Sequence, residues 1–292
     1  MPLAQQWEKL LLQSMAAGGA YRFTPRNSSN ALSAGSRIGR RAGNSLEFLE
    51  HREYRPGDDL RLVDWNVYAR SNSWVVKRFQ EEITPILDLI VDGSVSMLMP
   101  DSAKAKAALA LAAFLSEAAA SSALSSRLHI LKAIPETVAK DRRSPGEWLP
   151  FEFDARVSPP VLFRQLVPLL RNEGIRLFLS DLFFPDEPAA LLRQLATSCS
   201  AVVVIQIASR TDFLPPMEGN LRLIDSESDE ELEMRLADEE MKHYKERLRR
   251  HLCSYQDACR SLGINMVSVI AEDFLETFRV DPFIHCGLLQ HQ

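Results

Sequence analysis

A chain of 292 residues, 46% of them hydrophobic, can bury a sizeable core and reads as one main domain with an N-terminal appendage. Its 34 Lys and Arg against 39 Asp and Glu, a formal charge of -5, exclude a basic excess that would draw the whole molecule to nucleic acid or an anionic membrane. Cys199, Cys253, Cys259 and Cys286 are scattered, with no C-x-x-C pair and no His at zinc spacing. They suggest neither a disulfide framework nor a zinc site and read as cytosolic thiols.

Met1 to Gly19 has no basic leader before a long apolar core, because Gln5, Gln6, Glu8 and Lys9 interrupt it. It reads as a short amphipathic helix and not as a signal peptide. Residues 18–45 are rich in Gly, Pro and Asn without an apolar period, so 1–45 is expected to be an N-terminal helix and linker. A β-rich segment of strands and turns, 46–82, follows around the turn signal Pro56-Gly57-Asp58-Asp59. Its Tyr54, Trp65, Trp74 and Phe79 offer large apolar areas, so the segment is expected to pack on the main domain. Arg52, Arg55, Arg61 and Arg70 with Asp58, Asp59 and Asp64 are read as pairs that fasten an edge hairpin rather than as a docking surface.

From about residue 83 to 292 the text alternates strands and helices. The spacing predicts strands at Ile86–Val91, Leu128–Ile134, Ile175–Leu179, Ala201–Ile207 and Ile264–Ile270, with an edge strand at Leu221–Ile224. Helices are predicted over Asp101–Ala123, Pro159–Leu170, Pro188–Ala196, Glu231–Leu262 and near Phe274. This rhythm is that of an α/β fold, a doubly wound, mainly parallel sheet with Ile86–Val91 as its middle strand. The most apolar stretch, Ala107–Leu124, contains Glu117 and several serines and is no convincing membrane span. A cytoplasmic protein is expected, with a peripheral membrane association left open.

In such sheets ligands bind at the carboxyl ends of strands where strand order reverses. Asp92-Gly93-Ser94-Val95-Ser96 follows the first strand and Ser180-Asp181 the third. Two carboxylates and two hydroxyls are hard oxygen donors that suit a small octahedral cation such as Mg²⁺. The same pentapeptide is also a good turn and helix-start signal, with Asp and Ser bonding backbone N–H groups.

Asp92 to Met97 resembles the metal-ion-dependent adhesion motif of von Willebrand factor A domains. Gly39, Gly43, Glu47-Phe48, Arg52-Glu53-Tyr54, Pro56-Gly57-Asp58-Asp59, Arg61, Asp64-Trp65 and Ala69-Arg70 precede it. Together they resemble the bacterial domain-of-unknown-function family fifty-eight, over about residues 30 to 280. The resemblance implies a von Willebrand factor A-like domain at 83–292 and a metal held by Asp92, Ser94, Ser96 and Asp181. Ser158 stands in for the usual threonine, and Ser180-Asp181-Leu182 replaces the usual Thr-Asp-Gly. It further implies Mg²⁺, or Mn²⁺ or Ca²⁺, bound weakly without a partner. That partner would present a carboxylate and would be a MoxR-type AAA+ ATPase or its client.

Enzyme readings lack their parts. A haloacid dehalogenase-type phosphatase needs a second carboxylate where Ser94 stands, a serine hydrolase needs elbow glycines, and a nucleotide site needs a glycine-rich loop where only Gly93 occurs. A non-enzymatic interaction protein is therefore expected, with a metal-free structural interaction domain as the alternative.

Overall fold

The computed structural model describes residues 3–24, 42–80, 86–99, 101–140, 148, 152–157, 159–172, 174–215, 219–225 and 231–292. In chain order the elements begin with α1 (Leu3–Gly18), β1 (Tyr21–Phe23), β2 (Ala42–Glu53), α2 (Trp65–Ser71), β3 (Val75–Gln80), β4 (Ile86–Asp92), α3 (Ala103–Ser121), β5 (Ser125–Leu131) and β6 (Glu136–Lys140). Next come α4 (Pro159–Leu166), β7 (Ile175–Ser180), α5 (Pro188–Leu195), β8 (Ala201–Ala208), α6 (Arg210–Phe213), β9 (Gly219–Ile224) and β10 (Glu231–Leu236). The chain closes with α7 (Asp238–Ser261), β11 (Asn265–Ile270), α8 (Ala271–Thr277), α9 (Asp281–His285) and β12 (Leu289–His291). They form two compact units, one of Ser36–Thr84 and one of Met1–Gly35 with Pro85–Gln292.

The larger unit is built on a six-stranded sheet of order β11-β8-β7-β4-β5-β6, parallel throughout except that β6 runs antiparallel to β5. The largely apolar run Ile86–Val91 is interior and pairs with β5 on one side and β7 on the other. Alternate residues of β4 serve different cores. Leu87, Leu89 and Val91 pack with the alanine-rich α3, whereas Ile90 packs with Phe163, Phe178 and Leu191 on the opposite face. Because α3 has sheet on one side and α1 and α8 on others, fourteen of its nineteen residues are buried. Small side chains let it be apolar all round and still fit.

The N-terminal helix belongs to this core. Leu11 is fully buried and the Ser14 hydroxyl donates to the Ala110 carbonyl of α3. A methyl on Gly18 would fall 2.3 Å from the Phe114 carbonyl oxygen, so only glycine permits the approach at that crossing.

Several boundaries depart from the sequence-based expectation. The long helix starts at Asp238 and not at Glu231, because Glu231–Leu236 alternates apolar and polar residues and pairs antiparallel with β9. Leu221–Ile224 therefore belongs to this hairpin, outside the central sheet. The second strand runs three residues earlier than expected, and β6 folds back on it. Within the turn-rich stretch, Tyr21–Phe23 is a strand, joined to Leu289–His291 at the far end of the chain.

The smaller unit is an antiparallel β2–β3 pair with α2 between the strands. Asp64 caps α2 by accepting the Asn66 and Val67 N–H groups, while its other oxygen meets His51 and Lys77. Arg52 donates to Asp58 at 2.7 Å, and Asp58 also accepts the Arg55 N–H. The Arg52–Asp58 pair is one of those expected from the sequence, whereas Asp64 meets His51 and Lys77 instead of an arginine. The rings of Tyr54, Trp65, Tyr68 and Trp74 cluster, yet Trp65 and Trp74 remain 55% and 44% exposed. Their apolar area is thus less completely buried than was expected.

Candidate cation site at the strand ends

The chain passes from the β5–β6 side of β4 to the β7 side, so strand order reverses between β4 and β7. Asp92 ends β4 and Ser180 ends β7, followed at once by Asp181. The carboxylates anticipated from the sequence therefore lie on either side of the switch point.

The loop after β4 is held from several directions. Gly93 donates to the Leu131 carbonyl, and a methyl there would sit 2.8 Å from that oxygen. Val95 donates to Ala155, whose own N–H donates back to Gly93. Asp92 accepts the Ser94 N–H on one oxygen at 3.0 Å and the Ser180 hydroxyl on the other at 2.7 Å. The Ser94 and Ser96 hydroxyls lie 2.9 Å apart. Asp92, Ser94, Ser180 and Asp181 are buried, and Ser96 is half-buried. Burial first, and then the charge of Asp181, push the Asp92 carboxyl up to about 7. The cluster thus carries negative charge that it incompletely compensates.

Asp181 has partners of its own. One oxygen accepts the Phe183 N–H at 3.1 Å, and the other lies 2.6 Å from Nζ of Lys104, a residue of the first turn of α3 that is also buried. That ammonium lies 5.2 Å from the centre of the Phe183 ring and 3.9 Å from Asp212. Asp212 is raised above the ordinary carboxylate range, chiefly by burial, and the Lys104 charge opposes the shift. Between the two Asp181 contacts, Leu182 holds a left-handed φ of 64°. For a branched residue this costs on the order of 1–3 kcal/mol. Its buried side chain, its N–H bond to Ser180 and its carbonyl bond to His251 hold it there. Leu182 thus adopts a left-handed backbone that glycine would take without this strain.

The donors fit a hard divalent cation. Asp92 and the two serine hydroxyls present oxygens from one short loop, and the surplus negative charge favours an ion. The Tyr255 hydroxyl and one Asp186 oxygen are buried with no hydrogen-bond partner among the described residues. The phenol is raised by burial and then by the charges of Asp186, Asp181 and Asp92. Unmet polar atoms in the field of this cluster are what a hydrated ion would satisfy. Among the described residues no group of three His, Cys, Asp or Glu is gathered for a metal, so hydroxyls and water would supply much of the shell. Ser158 lies outside the described residues.

Sequence reasoning did not single out Lys104, Asp212, Tyr255 or His251 as parts of this site. Lys104 stands between alanines just as Lys106 does, so the sequence does not set it apart. The other three converge only through the fold.

Among the described residues no helix is long and apolar enough to cross a membrane. No protein of curated function matches the chain. Two solved structures are distantly similar. A conserved hypothetical protein, BatB, from Bacteroides thetaiotaomicron is 10% identical with a TM-score of 0.35, covering 70% of this chain and 98% of its own. An aerotolerance-related membrane protein from Bacteroides fragilis is 12% identical with a TM-score of 0.33, covering 66% and 95%. Likenesses of this size carry no argument about fold or function. Residues 50–137 match the model of the family described as "Protein of unknown function DUF58".

Proposed function

We propose that the chain is a non-enzymatic protein-interaction domain of the von Willebrand factor A type. Asp92, Ser94, Ser96 and Asp181, with Ser158 in the place of the usual threonine, hold a divalent cation, Mg²⁺ or in its stead Mn²⁺ or Ca²⁺. When bound, the ion supplies a Lewis-acidic position for a carboxylate of a protein partner. That partner is a MoxR-type AAA+ ATPase or its client, and the chain acts as an adaptor in assembly or metal insertion. The ATPase partnership is supported by family resemblance alone.

The observation that supports the cation site most is the Ser94–Ser96 hydroxyl pair, 2.9 Å apart, beside buried Asp92 at the end of an interior strand. In this account Asp92 orients the loop through the Ser94 N–H and is itself oriented by Ser180. A metal-free interaction domain is the second reading. The Lys104–Asp181 ion pair favours it, because one of the two carboxylates already has a cation.

Ser96→Ala is the discriminating variant, since Ser96 is half-buried and its hydroxyl bonds to that of Ser94. Asp92→Ala is less suitable, because it strands the Ser94 N–H and the Ser180 hydroxyl in a buried site. Immobilised wild-type chain should retain a purified MoxR-type ATPase in about 1 mM Mg²⁺ and release it in chelator. The Ser96→Ala chain should retain it no better than chelated wild type while melting at a similar temperature. Retention that ignores both chelator and substitution would favour the metal-free reading.

A further inference from the structure

Lys104 puts a positive charge where an arriving ion would need its second carboxylate. Its side chain is 4% exposed and that of Asp181 is 0%, with Nζ and Oδ2 2.6 Å apart. An ammonium buried this far is retained only by close partners, and Asp181 and the face of the Phe183 ring supply them. A dication cannot take the same oxygen while the ammonium stays, since two cations so close repel strongly in a buried site. A second seat is at hand. Asp212 Oδ1 lies 3.9 Å from Nζ, within reach if the lysine side chain rotates away from Asp181. Asp212 is itself fixed, because its other oxygen accepts the Ser209 N–H at 2.7 Å.

We propose, resting on the cation site proposed above, that Lys104 sets the affinity and the selectivity of that site: a cation binds only as the ammonium moves from Asp181 to Asp212. With a dication bound and its field keeping Asp92, Asp181 and Asp212 ionised, the three carboxylates and one ammonium leave two negative charges, which the dication neutralises. A monovalent ion must displace the same lysine for half the attraction and is rejected. The tethered lysine therefore keeps the site closed to Na⁺ and K⁺ and makes divalent binding weak until a partner's carboxylate adds its own bond.

The test is a Mn²⁺ titration of the chelator-treated full chain, read from the free Mn²⁺ resonance, for wild type and Lys104→Met. The variant should bind Mn²⁺ at least about tenfold more tightly, and excess Na⁺ should compete in the variant but not in wild type. Equal or weaker binding by a folded variant would overturn the role of Lys104 while leaving the cation site standing. Absence of saturable binding in both chains would overturn the cation site and this proposal with it. Because the variant leaves Asp181 buried without its partner and can fail to fold, wild type offers a second readout. The Lys104 ammonium resonance should shift on saturation with Mg²⁺, and a bound ion that leaves it unmoved would contradict the displacement.

Discussion

Asp92 and Asp181 both follow apolar strands, yet their surroundings separate them. Asp92 is met by the Ser94 N–H and by serine hydroxyls and is pushed up to about 7, whereas Asp181 holds the Lys104 ammonium. The four oxygen-bearing residues were legible because strand-end positions are special in a parallel sheet. The lysine was not, because a Lys at Lys104 in an alanine-rich helix reads as solvated until the fold buries it. Tyr255 belongs to the same scale. Its hydroxyl is buried without a partner, so Tyr255→Phe should leave stability unchanged or raise it by up to about 1 kcal/mol, read from the urea midpoint. A loss larger than that would mean the hydroxyl has a partner in the folded protein, such as ordered water or the ion itself.

At the scale of elements, what was legible followed from period and what was missed lacked one. Ile86–Asp92, Ile175–Ser180 and Ala201–Ala208 are mostly apolar, with Asp88, Arg176 and Gln206 inside them, and became buried parallel strands. α2 escaped because Trp65–Ser71 mixes aromatic, polar and charged residues without an apolar stripe, and is organised instead by the Asp64 cap. That cap yields a pH dependence. Its hydrogen bond with His51, followed by the helix N–H groups and Lys77, holds the Asp64 carboxyl down at about 2, against the ordinary 3.8. A carboxyl depressed on folding contributes stability that is present above its ordinary value and is lost as pH falls through the folded one. The stability difference between wild type and Asp64→Asn, which keeps a capping oxygen, should be constant above about pH 5 and shrink between about pH 4 and 2. A difference independent of pH across that window would contradict the assignment.

Across the whole molecule, the doubly wound order and its reversal beside β4 bring Asp92, Ser180 and Asp181 together from residues 88 apart in sequence. The pairing of Tyr21–Phe23 with Leu289–His291 joins the two ends of the larger unit through three residues each. Strands so short carry no readable period, which is why the sequence passed over them. The central claim is a cation at this switch point, and the most direct measurement is an anomalous difference map from a crystal of the full chain soaked in Mn²⁺. The account predicts a single strong peak at about 2.1 Å from the Ser94 and Ser96 hydroxyl oxygens, with the Lys104 ammonium moved from Asp181 toward Asp212. A map without a peak there at saturating Mn²⁺, with Lys104 still paired to Asp181, would contradict it.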